Sequence, residues 1–175
     1  MIISDNGGNF TPAPEGLFQA VCVDVVDLGQ VETQWGNKHK VRLAWQITEK
    51  DEETGKRYLV VGQFTASLNE KARLRAILES WRGKRFTKEE LKGFDMEHLI
   101  GANCQLQIIH NSNGEKTYAN VQAITALPKG AGRMTPLDYV RVQDREPTTN
   151  GNGGNGGNGH GKPAAAVAGD QAPPF

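Results

Sequence analysis

The sequence predicts a mainly β domain with one principal helix and a disordered C-terminal tail. Five short stretches rich in β-branched and aromatic residues alternate apolar with polar side chains. A single stretch with helical periodicity falls between the third and fourth of them. Beyond residue 145 the composition changes, and residues 150–161 contain only Asn, Gly and one His. Such a segment buries too little apolar surface to offset its ordering entropy.

The elements follow in order. Residues 1–15 are Gly/Asn/Pro-rich and read as an extended arm. "GLFQAVCVDVVDLG" (16–29) reads as the first strand. In "HKVRLAWQIT" (39–48), Val41, Leu43, Trp45 and Ile47 alternate with Lys40, Arg42, Ala44 and Gln46, so one face is core and the other is set toward solvent. "KDEETGK" (50–56) turns into the third strand, "RYLVVGQFT" (57–65), with Gly55 available for a positive φ. Tyr58 and Phe64 on that strand read as core.

A helix comes next. Ser67 and Glu70 have capping-box spacing, Leu74, Ile77, Leu78 and Trp81 form one stripe, and Gly83 is a natural stop. Lys71, Arg75 and Arg82 oppose that stripe and read as a solvated face, with tracking of a nucleic-acid backbone as the lesser alternative. Residues 86–101 predict two short helical turns divided by Gly93, the first opened by Thr87 and Glu90. "NCQLQIIHN" (103–111) and "KTYANVQAITAL" (116–127) are the fourth and fifth strands, and "PLDYVRVQDR" (136–145) reads as a cap on the domain.

Strand, strand, strand, helix, strand, strand is the connectivity of a five-stranded oligonucleotide/oligosaccharide-binding (OB-like) barrel. An SH3-like barrel, or an open sheet with a packed helix, uses a similar inventory. The expected organisation is an arm over 1–15, an OB-like domain over 16–145, a Gly/Asn-rich linker over 146–168 and an exposed tip, "GDQAPPF", over 169–175.

The 175 residues carry 20 basic and 20 acidic side chains, and residues 1–145 alone hold 19 and 18. Electrostatic recognition must therefore come from local stripes. Cys22 and Cys104 sit in apolar runs and read as buried free thiols, with a disulfide or metal site as the alternative. The four histidines lack ligand spacing. The opening residues lack the apolar core of a signal peptide, and no stretch approaches the roughly 20 apolar residues of a spanning helix. A soluble, cytoplasmic chain is expected.

No nucleophile elbow, phosphate loop or dinucleotide fingerprint occurs. Asp24 and Asp27 are the best carboxylate pair, yet three residues apart on a strand they point to opposite faces. No catalytic residue, cofactor or metal ligand is predicted, and a metal-dependent nucleic-acid enzyme using those aspartates is the weakest of the alternatives. Binding has better support. "TQWGNKHKVRLAW" (33–45) places Trp35 beside Lys38, Lys40 and Arg42, whose shared parity sets all three cations on one side of a strand. A stacking platform beside phosphate-neutralising cations is what sequence-tolerant single-strand binding requires; the alternative for Trp35 is a lid on the barrel. Tyr118 shares parity with Asn120 and Gln122 and follows Lys116, a second candidate surface, although a core position is the reading preferred for Tyr118; Arg57 opens the third strand at its rim.

The run "ESWRGKRFTKEELKGFD…LIGANCQLQIIHN…GEKTYANVQAI" resembles single-stranded DNA-binding proteins of tailed bacteriophages, over roughly residues 12–145. "DQAPPF" is similar to the tips of bacterial and phage proteins of that kind, in which acidic residues precede Pro-Phe. The resemblance implies single-stranded DNA as ligand, the host cytoplasm as location, and a role in replication or recombination. It further implies a partner-docking tip of Pro173, Pro174 and Phe175 with Asp170 as its acidic element, although the familiar tips carry more acid. A protein–protein adaptor with a non-DNA-binding barrel is the alternative from another class.

Overall fold

The computed structural model describes residues 11–147. It contains β1 (Gly16–Thr33), β2 (Gly36–Lys50), β3 (Arg57–Thr65), α1 (Arg73–Arg82), β4 (Asn103–Asn113) and β5 (Lys116–Thr125). All neighbouring strands pair antiparallel, in the order β3-β2-β1-β4-β5. The predicted strands and helix are present, with β1 and β2 longer than the sequence pattern implied. Their extensions form a hairpin arm, Thr33 pairing with Gly36 across a turn of Gln34 and Trp35. Polar and charged residues populate that arm, so it lacks the apolar alternation by which strands are recognised.

One face of the sheet holds the main core: Cys22, Leu43, Trp45, Ile47, Cys104, Leu106 and Ile108 pack with Leu74, Ile77, Leu78 and Trp81 of α1. Trp45 and Trp81 meet at 6.0 Å between ring centroids, and the Trp81 indole donates to Asn103 O at 2.8 Å. Both cysteines are free and buried, and burial pushes the Cys22 thiol up to about 12.

Barrel closure takes a looser form than expected. No hydrogen-bonded ladder joins β3 to β5 among the described residues. The helix bridges them instead: Ser80 Oγ donates to Ile124 O at 2.7 Å, and Arg73 Nη2 donates to Val121 O at 3.0 Å while lying 5.7 Å from the Phe64 ring centroid. Two edge carbonyls of β5 are thereby satisfied without a strand partner.

The helix begins later than the Ser67/Glu70 spacing predicts. Ala72 stands at its N-cap without a side-chain bond, while Ser67 Oγ accepts from Asn69 N in the preceding turn. Gly83 ends it as expected, at φ 67°. The second capping box does form, Thr87 N donating to Glu90 Oε2 and Glu90 N to Thr87 Oγ1, ahead of the short turns Glu90–Lys92 and Met96–Leu99. Arg82 corrects the solvated-face expectation. Its side chain is only 2% exposed, ion-paired to Glu90 and stacked 4.4 Å from the Phe86 ring centroid, with Phe94 beyond. Aromatic faces stand where hydrogen-bond acceptors would otherwise be needed.

The opposite face of the sheet is covered at one end by residues 132–145, a strap with little regular structure. Three buried polar side chains hold it. Asn103 exchanges bonds with Met134 N and O, at 2.7 and 2.9 Å. Gln46 does the same with Leu137 N and O, at 2.9 and 2.6 Å. Asp24 accepts from Tyr139 Oη and Val142 N, at 2.9 and 2.8 Å, and from Arg141 Nε, at 3.3 Å. Arg141 also grips Glu97 with two bonds. Burial and the Asp24 carboxylate push the Tyr139 phenol up to about 12. Beneath the strap Val21, Val23, Ala44 and Met134 form a second, smaller core. The predicted solvent side of β2 is therefore covered at Ala44 and Gln46, while Thr48 and Lys50 beyond them stay exposed.

Two outcomes follow from these contacts. Asp24→Ala strands three donors, although Arg141 keeps Glu97, so it should cost about 1–3 kcal/mol in denaturant unfolding and expose Arg141 and Arg145 to trypsin. Glu90 is held at about 2, from an ordinary 4.5, first by the Arg82 bond and then by Thr87 N. A depressed carboxyl contributes stability above its unfolded value and loses it as pH falls through the folded one. The stability gap between wild type and Glu90→Gln should therefore be full above about pH 4.5 and close toward pH 2, which melts across that range would measure.

Candidate nucleic-acid interface

Beyond the strap, the same outer face is open, and the cationic stripe lies there. Lys38, Lys40 and Arg42 pair across β1 with Val31, Gly29 and Val26. On the other side Lys40 and Arg42 pair with Thr65 and Gln63 of β3. None of these five neighbours is acidic, so no carboxylate directly across the ladder neutralises the row. The acids fall on the other parity: Asp27 pairs with Val41 and Glu32 with Asn37. Asp27 accepts from Gly29 N at 2.7 Å and bonds His39 Nε2 at 2.6 Å, and these contacts hold its carboxyl below the usual range. Lys40 Nζ donates to Thr65 Oγ1 at 3.2 Å. Thr65 was missed in the sequence, where only the β2–β3 register would have found it.

Trp35 stands at the tip of the β1–β2 arm and is 78% exposed, which removes the lid alternative. Thr33 builds the turn beneath it, its hydroxyl donating to Gly36 O and accepting from Trp35 N. Gly36 adopts φ 89°, a conformation that side chains other than glycine's resist. A large aromatic ring on a short, braced turn is positioned to stack without being part of the core.

The other predicted residues are distributed. Arg42 is half-buried beside the strap, close enough to influence Tyr139, and marks the end of the stripe. Arg57 lies at the far end of β3, roughly 26 Å from Thr65 at the usual rise per residue, and its Nη1 donates to Thr135 O at 2.8 Å. It holds the strap and is separate from the stripe. Lys116 and Tyr118 lie on β5 at the β4–β5 hairpin, paired with Asn113 and Asn111. Tyr118 is 48% exposed, on the same side of β5 as Asn120, which corrects the core position preferred for it from sequence. Asp170, Pro173, Pro174 and Phe175 lie outside the described residues, as do most of the predicted arm and linker.

Asp24 and Asp27 stand on opposite faces as expected, one buried under the strap and the other exposed. Among the described residues no group of three or more His, Cys, Asp or Glu is placed to hold a metal ion. No helix among them is long and apolar enough to cross a membrane. Comparison of the sequence with protein-family models and with curated proteins found no match.

Exposure of Trp35 has a direct consequence. Trp35→Ala should change unfolding stability by no more than about 0.5 kcal/mol. It should also remove the component of tryptophan emission accessible to acrylamide, because Trp45 and Trp81 are buried.

Proposed function

We propose that this protein binds single-stranded DNA without sequence preference, as a phage-type DNA-coating protein of the host cytoplasm acting in replication or recombination. The observation that carries the reading is the exposed Trp35 at the end of an acid-free row of Lys38, Lys40 and Arg42. Base stacking on an aromatic ring with cations tracking the backbone is the chemistry of sequence-tolerant single-strand binding. The sequence resemblance to phage single-stranded DNA-binding proteins supports the same reading, as does an OB-like strand order. In this reading no bond is made or broken. Tyr118 and Lys116 offer a second stacking and phosphate contact at the β4–β5 hairpin. The tip formed by Asp170, Pro173, Pro174 and Phe175 recruits replication or recombination proteins, its carboxylate and aromatic ring being suited to capture in one pocket.

Salt-titrated fluorescence with oligo-dT and with duplex of the same length tests this. Three phosphate contacts on the stripe give a slope of log affinity against log salt of about −2, and Trp35→Ala weakens binding by about 1–3 kcal/mol. Deleting residues 169–175 leaves DNA affinity equal or higher. Salt-insensitive binding, or preference for duplex, would overturn the reading. Loss of the protein's main activity on tail deletion, with no DNA affinity to begin with, would favour an adaptor.

A further inference from the structure

The bridge that Arg73 makes between β3 and β5 leaves two adjoining grooves. The first, about 480 Å³, is lined by Lys40, Lys71 and Arg73 together with the polar side chains of Thr65, Ser67 and Asn69. The second, about 490 Å³, lies between the β3 and β5 edges and presents the amides of Gln63, Asn111, Asn120 and Gln122. Gln63, Phe64 and Arg73 line both, so the grooves adjoin. Each falls within the roughly 300–1,000 Å³ of small-ligand clefts. Neither is lined by an Asp or Glu.

We propose that a single nucleic-acid strand leaves the β2 stripe at Lys40 and enters this cleft, with a phosphate between Lys40, Lys71 and Arg73 and the adjoining base against the amide wall. The inference rests on the single-strand-binding reading above and adds a site to it. Lys40 belongs to both the stripe and the first groove, so the two surfaces share a cation. Arg73 uses one donor on Val121 O, and a guanidinium carries five. Carboxamides offer both donors and acceptors, which suits base edges and repels neither purines nor pyrimidines. Added β-strands are a poorer fit for the cleft, because Arg73 and Ser80 already occupy the carbonyls of Val121 and Ile124 on the β5 edge. An acid-free, cation-lined entrance favours a polyanion.

Lys71→Gln and Gln122→Ala separate the two halves of the site, and both side chains are exposed. The probe is oligo-dT, titrated between 0.1 and 1 M salt, with thermal melts as the folding control. Loss of one phosphate contact should reduce the salt slope by about 0.7, which makes Lys71→Gln bind about fivefold more weakly at 0.1 M and nearly as wild type at 1 M. Gln122→Ala should weaken binding about two- to tenfold at every salt concentration with the slope unchanged. If both folded variants bind as wild type while Lys38→Gln weakens binding, the strand stays on β2 and the cleft site is overturned. Failure of the wild-type protein to bind oligo-dT overturns the functional reading itself and the cleft with it.

Discussion

Three buried polar side chains, Asp24, Gln46 and Asn103, determine which part of this sheet is free to act. They are the buried polar residues of the described chain, and each is bonded to the backbone of the strap over residues 132–145. A polar group removed from water must find partners. Here the partners are peptide groups of a segment that forms no ladder of its own. The strap therefore has a fixed register without being a strand. It covers the outer face of β2 at Ala44 and Gln46, leaves Arg42 and Lys40 half-buried beyond it, and leaves the arm from His39 to Trp35 exposed.

That division gives the two faces different work. The helix side supplies cohesion, with Trp45, Leu78 and Trp81 at its centre. On the outer side, the strap end is sealed by reciprocal amide bonds and the arm end is uncovered, cationic and tipped by an aromatic ring. The helix also bridges β3 and β5, between which no ladder forms among the described residues, with Arg73 and Ser80 bonded to the carbonyls of Val121 and Ile124. The cleft is a consequence of how the sheet is capped, and its polarity comes from the side chains that remain beside the unpaired edge.

Elements with a strong period were legible in the sequence. The Leu74–Trp81 stripe, the Val41–Ile47 alternation and the Gly83 stop correspond to buried or terminating residues as read. Trp35 was legible as an outlier because it broke the alternation around it. The strap was legible as a cap over residues 136–145, but its anchors were not, since side-chain anchoring of an irregular segment leaves no periodicity, and Gln46 was read with its solvent-facing neighbours for that reason. Arg82 was misplaced because helical spacing sets a direction but cannot reveal the aromatic rings of Phe86 and Phe94 folding back over it. The cleft was invisible because Gln63, Arg73 and Gln122 come together only through the mutual approach of strands distant in sequence.

The central claim is that the uncovered half of the outer face, together with the cleft beside it, receives a single strand. Titrating isotopically labelled full-length protein with oligo-dT while following backbone amide shifts tests this most directly. The account predicts perturbations concentrated at residues 35–42, 61–65, 71–73 and 118–122, with the strap at 132–145 and the turns at 90–99 unchanged. Shifts centred on the strap, or spread evenly over the chain, would contradict it.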